Sequence, residues 1–241
     1  MSDEVLVTGA SSDIAVELAR LVDPGLTLLG QCRNVQSLEG FRKAAPAREV
    51  VPVVGDLASR EDVSRITEEL LARVGRLVGV VHLAAPKLEL KRFKDLDWTD
   101  VDRSLEIQVH SIGRVLQRLV PKMAKNGGGS IVLVLSSVTL TVPSFMSDYV
   151  IAKHALLGMM RSLSAEYVAK GVRVNAVSPS MTKTKFLSEL PSQVPEATAE
   201  RHPLKRHATP GEVASAIRFL LSPEASFVSG TNLAVTGGEA V

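Results

Sequence analysis

The 241-residue chain carries 28 Lys and Arg against 26 Asp and Glu, and a formal charge of +2 is too small to furnish a nucleic-acid groove. With 45% hydrophobic and 22% charged residues it reads as a globular protein with ample length for one large core, not as a disordered one. Its one cysteine, Cys32, excludes an intrachain disulfide and any metal site built on clustered cysteines.

The acidic start Met1-Ser2-Asp3-Glu4 leads straight into a strand, so no signal peptide is expected. No apolar run reaches the ~18 residues that span a bilayer, and a soluble cytoplasmic protein follows as the expectation. Strands are predicted at 5–8, 26–31, 50–54, 77–82, 130–135, 172–177 and 233–235. Helices are predicted between them at 13–22, 35–45, 60–73, 98–125, 148–170 and 210–221. Asn126-Gly127-Gly128-Gly129 ends the fourth helix, Lys170-Gly171 the fifth, and Thr209-Pro210 opens the last with a cap and an N1 proline. This alternation argues for a single α/β domain, a doubly wound parallel sheet of the Rossmann type with helices on both faces. The irregular stretch 180–207 holds Pro191, Pro195 and Pro203 and follows a strand's carboxyl end, where such folds bind ligands. It is read as a substrate-binding lid.

Tyr149 and Lys153 stand four residues apart on a predicted helix and share one face. A phenol with a pKa near 10 is a poor acid–base catalyst at neutral pH unless a cation stabilises its phenolate, and Lys153 supplies one. Twelve positions before Tyr149 the strand-like run ends in Ser136-Ser137, where a hydroxyl can hydrogen-bond a substrate carbonyl. In the first strand-to-helix turn, Thr8-Gly9-Ala10-Ser11-Ser12-Asp13-Ile14-Ala15, Gly9 allows a tight turn and the following N–H groups can hold a pyrophosphate.

In order, Thr8-Gly9-Ala10-Ser11-Ser12, Asp56-Leu57, Ser137, Tyr149-x-x-x-Lys153, Arg173-Val174-Asn175-Ala176-Val177-Ser178-Pro179, Thr184 and Leu233-Ala234-Val235-Thr236-Gly237-Gly238 closely resemble the short-chain dehydrogenase/reductases. The match is to their compact single-domain branch, is similar to the 3-ketoacyl reductases, and covers nearly the whole chain. The resemblance implies one NAD(P)-binding domain over 1–241. Tyr149 would be the general acid/base, Lys153 would hold the nicotinamide ribose and lower the phenol's pKa, and Ser137 would orient the substrate carbonyl. Gly9, Ser11, Ser12, Asp13 and Ile14 would meet the pyrophosphate, and Asp56, Leu57 and Ala84 the rest of the dinucleotide, with Asp56 at the adenine. Pro179, Met181, Thr182 and Thr184 would lie along the nicotinamide amide and pyrophosphate. No metal is expected.

The departures from the family pattern carry information of their own. Asp13 and Ala15 stand where the family usually has glycine. A carboxylate ~6 Å from a phosphate charge, at an effective dielectric of ~40, repels it by roughly 1.4 kcal/mol, about tenfold in affinity. The same acid suits the first turn of a helix and can hydrogen-bond the loop. His82-Leu83-Ala84-Ala85 replaces Asn-Asn-Ala-Gly in a spelling closer to the sugar-nucleotide-handling branch, and His82 reads as a packed, hydrogen-bonded residue rather than a base. Gln108 falls, by alignment on Pro121 and Met123, where the family has a fourth catalytic residue, an asparagine that helps hold a water linking the lysine to solvent. Glutamine keeps the amide and adds one methylene, so a displaced relay is expected. Ser180 replaces the glycine after the proline.

At the end of the second strand Cys32 holds the position where an acid would select NAD, and Arg33 follows, so NADP(H) is preferred with NAD(H) possible. The function read is an NADP(H)-dependent oxidoreductase that reduces a ketone or 3-oxoacyl-type carbonyl or oxidises the corresponding secondary alcohol. The alternatives are a low-turnover dinucleotide-binding subunit or sensor, motivated by Asp13, Ala15 and Gln108, and a biosynthetic enzyme acting on sugar-nucleotide or carrier-bound intermediates. The fourth and fifth helices resemble those of the family's four-helix contact, which implies a homotetramer. Lys125 and Lys170 stand near the positions where acyl carrier protein docks in relatives.

Overall fold

A computed structural model describes residues 3–187 and 193–239. The apolar runs become seven parallel strands: β1 (Asp3–Thr8), β2 (Thr27–Cys32), β3 (Val50–Val54), β4 (Arg76–His82), β5 (Gly129–Val134), β6 (Val172–Pro179) and β7 (Asn232–Val235). They lie in the order β3-β2-β1-β4-β5-β6-β7. The chain builds outward from β1 to β3, then returns to β4 and builds the other way. That reversal opens a crevice beyond the carboxyl ends of β1 and β4, where Thr8 and His82 are register partners.

Side chains alternate across the sheet, so β1 sends Val5 and Val7 into one core and Leu6 into the other. The first core is closed by α1 (Asp13–Leu21), α2 (Glu39–Ala44) and α8 (Pro210–Leu221), through Leu18, Phe41 and Ile217. The second is closed by α3 (Arg60–Arg73), α5 (Ser111–Lys125) and α6 (Ser147–Tyr167), through Ile66, Leu116 and Leu156. Each such fully buried side chain stabilises the fold by roughly 1.5–3 kcal/mol. Helix starts are capped as their sequences require. Ser12, Ser59 and Thr209 accept N–H bonds in the first turns of α1, α3 and α8, and Glu212 completes a capping box behind Pro210. Gly128, at φ +87°, ends the turn after α5 so close to Gly171 that a Cβ there would lie 2.1 Å from the Gly171 carbonyl oxygen.

Three predicted helices differ from the structure. The helix expected over 98–125 is divided into α4 (Trp98–Leu105), a π-helical turn at Glu106–His110, and α5. The Gln108 carbonyl in that turn is taken by the His82 ring at 3.0 Å, a partner outside the helix. The segment 35–45 begins as a 3₁₀ turn at Val35–Leu38 before α2, and 148–170 ends in one at Val168–Lys170, closed by Gly171 at φ 80°. The stretch 180–207 is not wholly irregular, because it contains α7 (Gln193–Arg201). Pro195 is that helix's third residue, where a missing N–H leaves no intrahelical bond unmade. Pro191 lies outside the described residues. No helix among the described residues is long and apolar enough to cross a membrane.

Candidate active site

The turn between β1 and α1 is held by Gln31, a buried side chain with no role assigned to it from the sequence. Its Oε1 accepts the Gly9 N–H at 3.1 Å and its Nε2 donates to the Gly55 carbonyl at 2.8 Å, stitching the ends of β1, β2 and β3 together. Gly9 has φ +66°, and a Cβ on it would stand 2.9 Å from the Ala84 nitrogen. The turn therefore presses against the segment after β4, at Ala84. Ser12 caps α1 by accepting the Ala15 N–H at 3.2 Å. Among the described residues the N–H groups of Ser11, Asp13 and Ile14 have no acceptor. Aligned at the positive end of a helix, these donors fit a pyrophosphate.

Asp13 does more than complement the helix dipole. Its Oδ2 accepts the Lys185 backbone N–H at 2.7 Å, and the Lys185 ammonium lies 3.8 Å from Oδ1. The loop it bonds follows β6, 172 residues away, and is not its own turn. Arg33 is exposed just past β2, and its guanidinium enters no hydrogen bond or ion pair among the described residues. Asp56 is exposed after β3, where its Oδ1 accepts the Ala58 N–H at 2.9 Å and its own N–H donates to Asp62. The Leu57 side chain packs in the core, so only its backbone faces the crevice's rim.

At the other end of the crevice, α6 presents Tyr149 and Lys153. Lys153 is buried, donates from Nζ to the Val134 carbonyl at 2.8 Å, and sits 5.3 Å from the centroid of the Tyr149 ring. It is the side chain of Ser136, next to the Ser137 expected to orient the substrate carbonyl, that acts on the phenol and favours its ionised form. Ser136 is extended, at φ −167° and ψ 159°, and caps the 3₁₀ turn Ser137–Thr139. Ser137 lies in the turn itself, and its carbonyl accepts the Leu140 N–H at 2.8 Å. Burial pushes the phenol up to about 12, with the Ser136 bond opposing and Asp148 adding to the rise. Burial also brings the Lys153 ammonium down to about 7. In the free protein burial therefore outweighs the groups that favour the phenolate.

The stretch after β6 reaches both ends of the crevice. Next to Lys185, the Phe186 ring packs on Tyr149, with centroids 6.5 Å apart and planes tilted by 35°. Pro179 ends β6, and Met181 and Thr182 are anchored by pairing with Ala208, whose N–H donates to the Met181 carbonyl at 3.1 Å. Thr184 donates to the Thr182 carbonyl at 3.3 Å.

His82 is 1% exposed and bridges two elements. A carbonyl can only accept, so the His82 Nε2 facing Gln108 carries the proton and Nδ1 accepts from the Thr8 hydroxyl at 2.7 Å. Burial and the nearby Lys153 lower its pKa to about 3, which keeps the ring neutral. It is the packed, hydrogen-bonded residue the sequence suggested. Gln108 enters the site through its main-chain carbonyl. Its carboxamide turns back along the helix to donate to Ser104 Oγ at 2.8 Å, leaving a buried Oε1 with no hydrogen-bond partner among the described residues.

A family model described as enoyl-(acyl carrier protein) reductase matches residues 9–239. The chain belongs to the short-chain dehydrogenase/reductase family. It is 31% identical over 238 residues to a 3-oxoacyl-(acyl-carrier-protein) reductase of Thermotoga maritima, covering 97% of this chain and 96% of the relative. Among solved structures it superposes on levodione reductase with a TM-score of 0.91 and 26% identity, covering 99% of this chain and 97% of that one. A 7α-hydroxysteroid dehydrogenase in complex with NADH and 7-oxo glycochenodeoxycholic acid gives a TM-score of 0.89 and 26% identity, covering 98% and 93%. The short-chain dehydrogenase/reductases bind a nicotinamide dinucleotide, and this member is an oxidoreductase.

Proposed function

We propose that the protein is an NADP(H)-dependent carbonyl reductase, working in reverse as a secondary-alcohol dehydrogenase, with Tyr149 as its general acid/base. The observation that carries this reading is the convergence of the Tyr149 phenol, the Ser136 hydroxyl and the buried Lys153 at the carboxyl end of β5. The donor-lined turn at Gly9 lies along the same crevice. In this reading the Ser11, Asp13 and Ile14 N–H groups hold the pyrophosphate, Asp56 the adenine and Arg33 the 2′-phosphate. Lys153 holds the nicotinamide ribose, and Pro179, Met181, Thr182 and Thr184 flank the carboxamide.

When bound, the reduced cofactor supplies the hydride that the carbonyl carbon accepts. Ser136 donates a hydrogen bond to the carbonyl oxygen, and Tyr149 gives that oxygen its phenolic proton, so the product is a neutral alcohol and the phenolate remains on Tyr149. Lys153 stabilises that phenolate while it is charged. Phe186, packed on the Tyr149 ring, keeps water from the reacting oxygen. Helices α5 and α6 are the expected faces of a homotetramer, the chain is expected to act in the cytoplasm, and Lys125 and Lys170 would serve a carrier-bound substrate. A panel of ketones, β-ketoacyl thioesters and secondary alcohols, run with both cofactors, tests the reading. NADPH-dependent reduction of at least one carbonyl supports it. Cofactor binding with no turnover across the panel favours a low-turnover binding subunit, the reading to which the displaced Gln108 carboxamide points.

A further inference from the structure

We propose that Asn232, on the edge strand β7, is a positioning residue for Ser136, an inference that rests on the reading of Ser136 as the hydroxyl meeting the substrate carbonyl. Thr139 Oγ1 donates to the Ser136 carbonyl at 2.9 Å, which commits its one hydroxyl proton. Asn232 Nδ2 donates to that Thr139 oxygen at 3.3 Å, and the fully buried Ser178 hydroxyl donates to Asn232 Oδ1 at 2.8 Å. Protons therefore run one way, from Ser178 through Asn232 and Thr139 to Ser136. The Thr139 and Ser178 oxygens stand 3.0 Å apart, but with both hydroxyl protons committed in this arrangement neither donates to the other.

This chain ties the phenol's partner to two strands of the sheet. The Ser136 carbonyl also accepts the Thr139 N–H at 3.0 Å, so both groups of Thr139 hold the same oxygen. Ser136 is thereby kept extended, with its side chain turned to Tyr149. Asparagine is a poor strand residue, and the backbone pairing of β6 with β7 does not call on its side chain, whose bond across the pair is the one to Ser178. Asn232 touches neither the phenol nor the substrate's place. It acts through Ser136.

The test is a double-mutant cycle on the whole enzyme with Asn232→Leu and Ser136→Ala. Leucine keeps the volume and removes both hydrogen bonds. Asn232→Leu alone is expected to lower kcat about tenfold while leaving NADPH affinity within about twofold, and to change kcat by less than about twofold in the Ser136→Ala background. An equal loss in both backgrounds marks Asn232 as a structural residue and overturns the proposal. A Ser136→Ala enzyme with unimpaired kcat instead overturns the reading of Ser136 itself, and the proposal with it. A second measurement needs no substrate. The chain has two tyrosines, so 13Cζ-tyrosine NMR follows Tyr149 directly, assigned with Tyr149→Phe. Ser136→Ala and Asn232→Leu should move its resonance in the same direction and the double variant no further. A Tyr149 resonance indifferent to Asn232→Leu overturns the proposal.

Discussion

Asp13→Asn keeps an acceptor for the Lys185 N–H and removes only the charge, which makes it the cleanest probe of the cofactor end of the crevice. The carboxylate is held by that N–H at 2.7 Å, while the Lys185 ammonium stands at 3.8 Å on a side chain that is 88% exposed. An ion pair so exposed stabilises by only ~0.2–1 kcal/mol and screens little of the carboxylate's field. The incoming pyrophosphate meets close to a full negative charge. At ~6 Å and an effective dielectric of ~40 the repulsion is about 1.4 kcal/mol per phosphate charge, a factor of about ten in Kd. Titration by NADPH fluorescence at low salt should show Asp13→Asn binding about tenfold more tightly than wild type, with the gap closing as the Debye length falls toward ~3 Å at 1 M salt. Asp13→Gly removes the lid tether as well, so proteolysis of the lid should quicken in that variant and not in Asp13→Asn. A Kd for Asp13→Asn equal to or weaker than wild type at low salt would refute the reasoning.

Arg33→Ala should weaken NADPH binding by roughly 1.5–3 kcal/mol, the scale of a charge-assisted hydrogen bond, and leave NADH nearly unchanged; equal losses for the two cofactors would mean that Arg33 does not read a 2′-phosphate. His82 has its pKa lowered from 6.5 to about 3 by burial, so below pH 6.5 the unfolded chain gains a proton that the folded one refuses. Its stabilising effect is complete above pH 6.5 and declines as pH falls toward 3, by up to ~1.4 kcal/mol per pH unit or ~2 kcal/mol at pH 5. Urea unfolding of wild type and His82→Asn from pH 8 to pH 5 should diverge in slope by that amount, and parallel curves would remove His82 as the cause. Lys153→Met should lose both turnover and NADPH affinity, because one ammonium serves the phenol and the ribose; a loss confined to turnover would separate the two roles.

The sheet was legible because each strand is a short apolar run set off by turn residues. What escaped depended on partners distant in the chain. The π turn at Glu106–His110 has no local signature in 98–125, since the group that takes the Gln108 carbonyl comes from His82 on β4. Whether Ser136 or Ser137 faces the phenol turns on the 3₁₀ turn that follows, and both residues fit the spacing equally well on a drawn strand. The hydrogen bond that Asp13 accepts from the Lys185 N–H crosses 172 residues, so the sequence offered only the helix dipole and a bond to the acid's own loop to explain it. The prolines of 180–207 concealed α7, because Pro195 reads as a breaker unless it is known to fall in the first turn of a helix. Gln31 looked like an ordinary strand residue, and its two bonds to the glycine turns appear only when β1, β2 and β3 are side by side.

The central claim is that chemistry runs through the phenol of Tyr149, and turnover of Tyr149→Phe measured beside its NADPH affinity tests it most directly. Phenylalanine keeps the ring against Phe186 and Lys153 and deletes only the proton donor. The expected result is turnover lowered by at least ~10²-fold with a dissociation constant for NADPH within about twofold of wild type. Turnover retained in Tyr149→Phe, or a wild type that binds NADPH and is indistinguishable from the variant on every carbonyl and alcohol tried, would contradict the account.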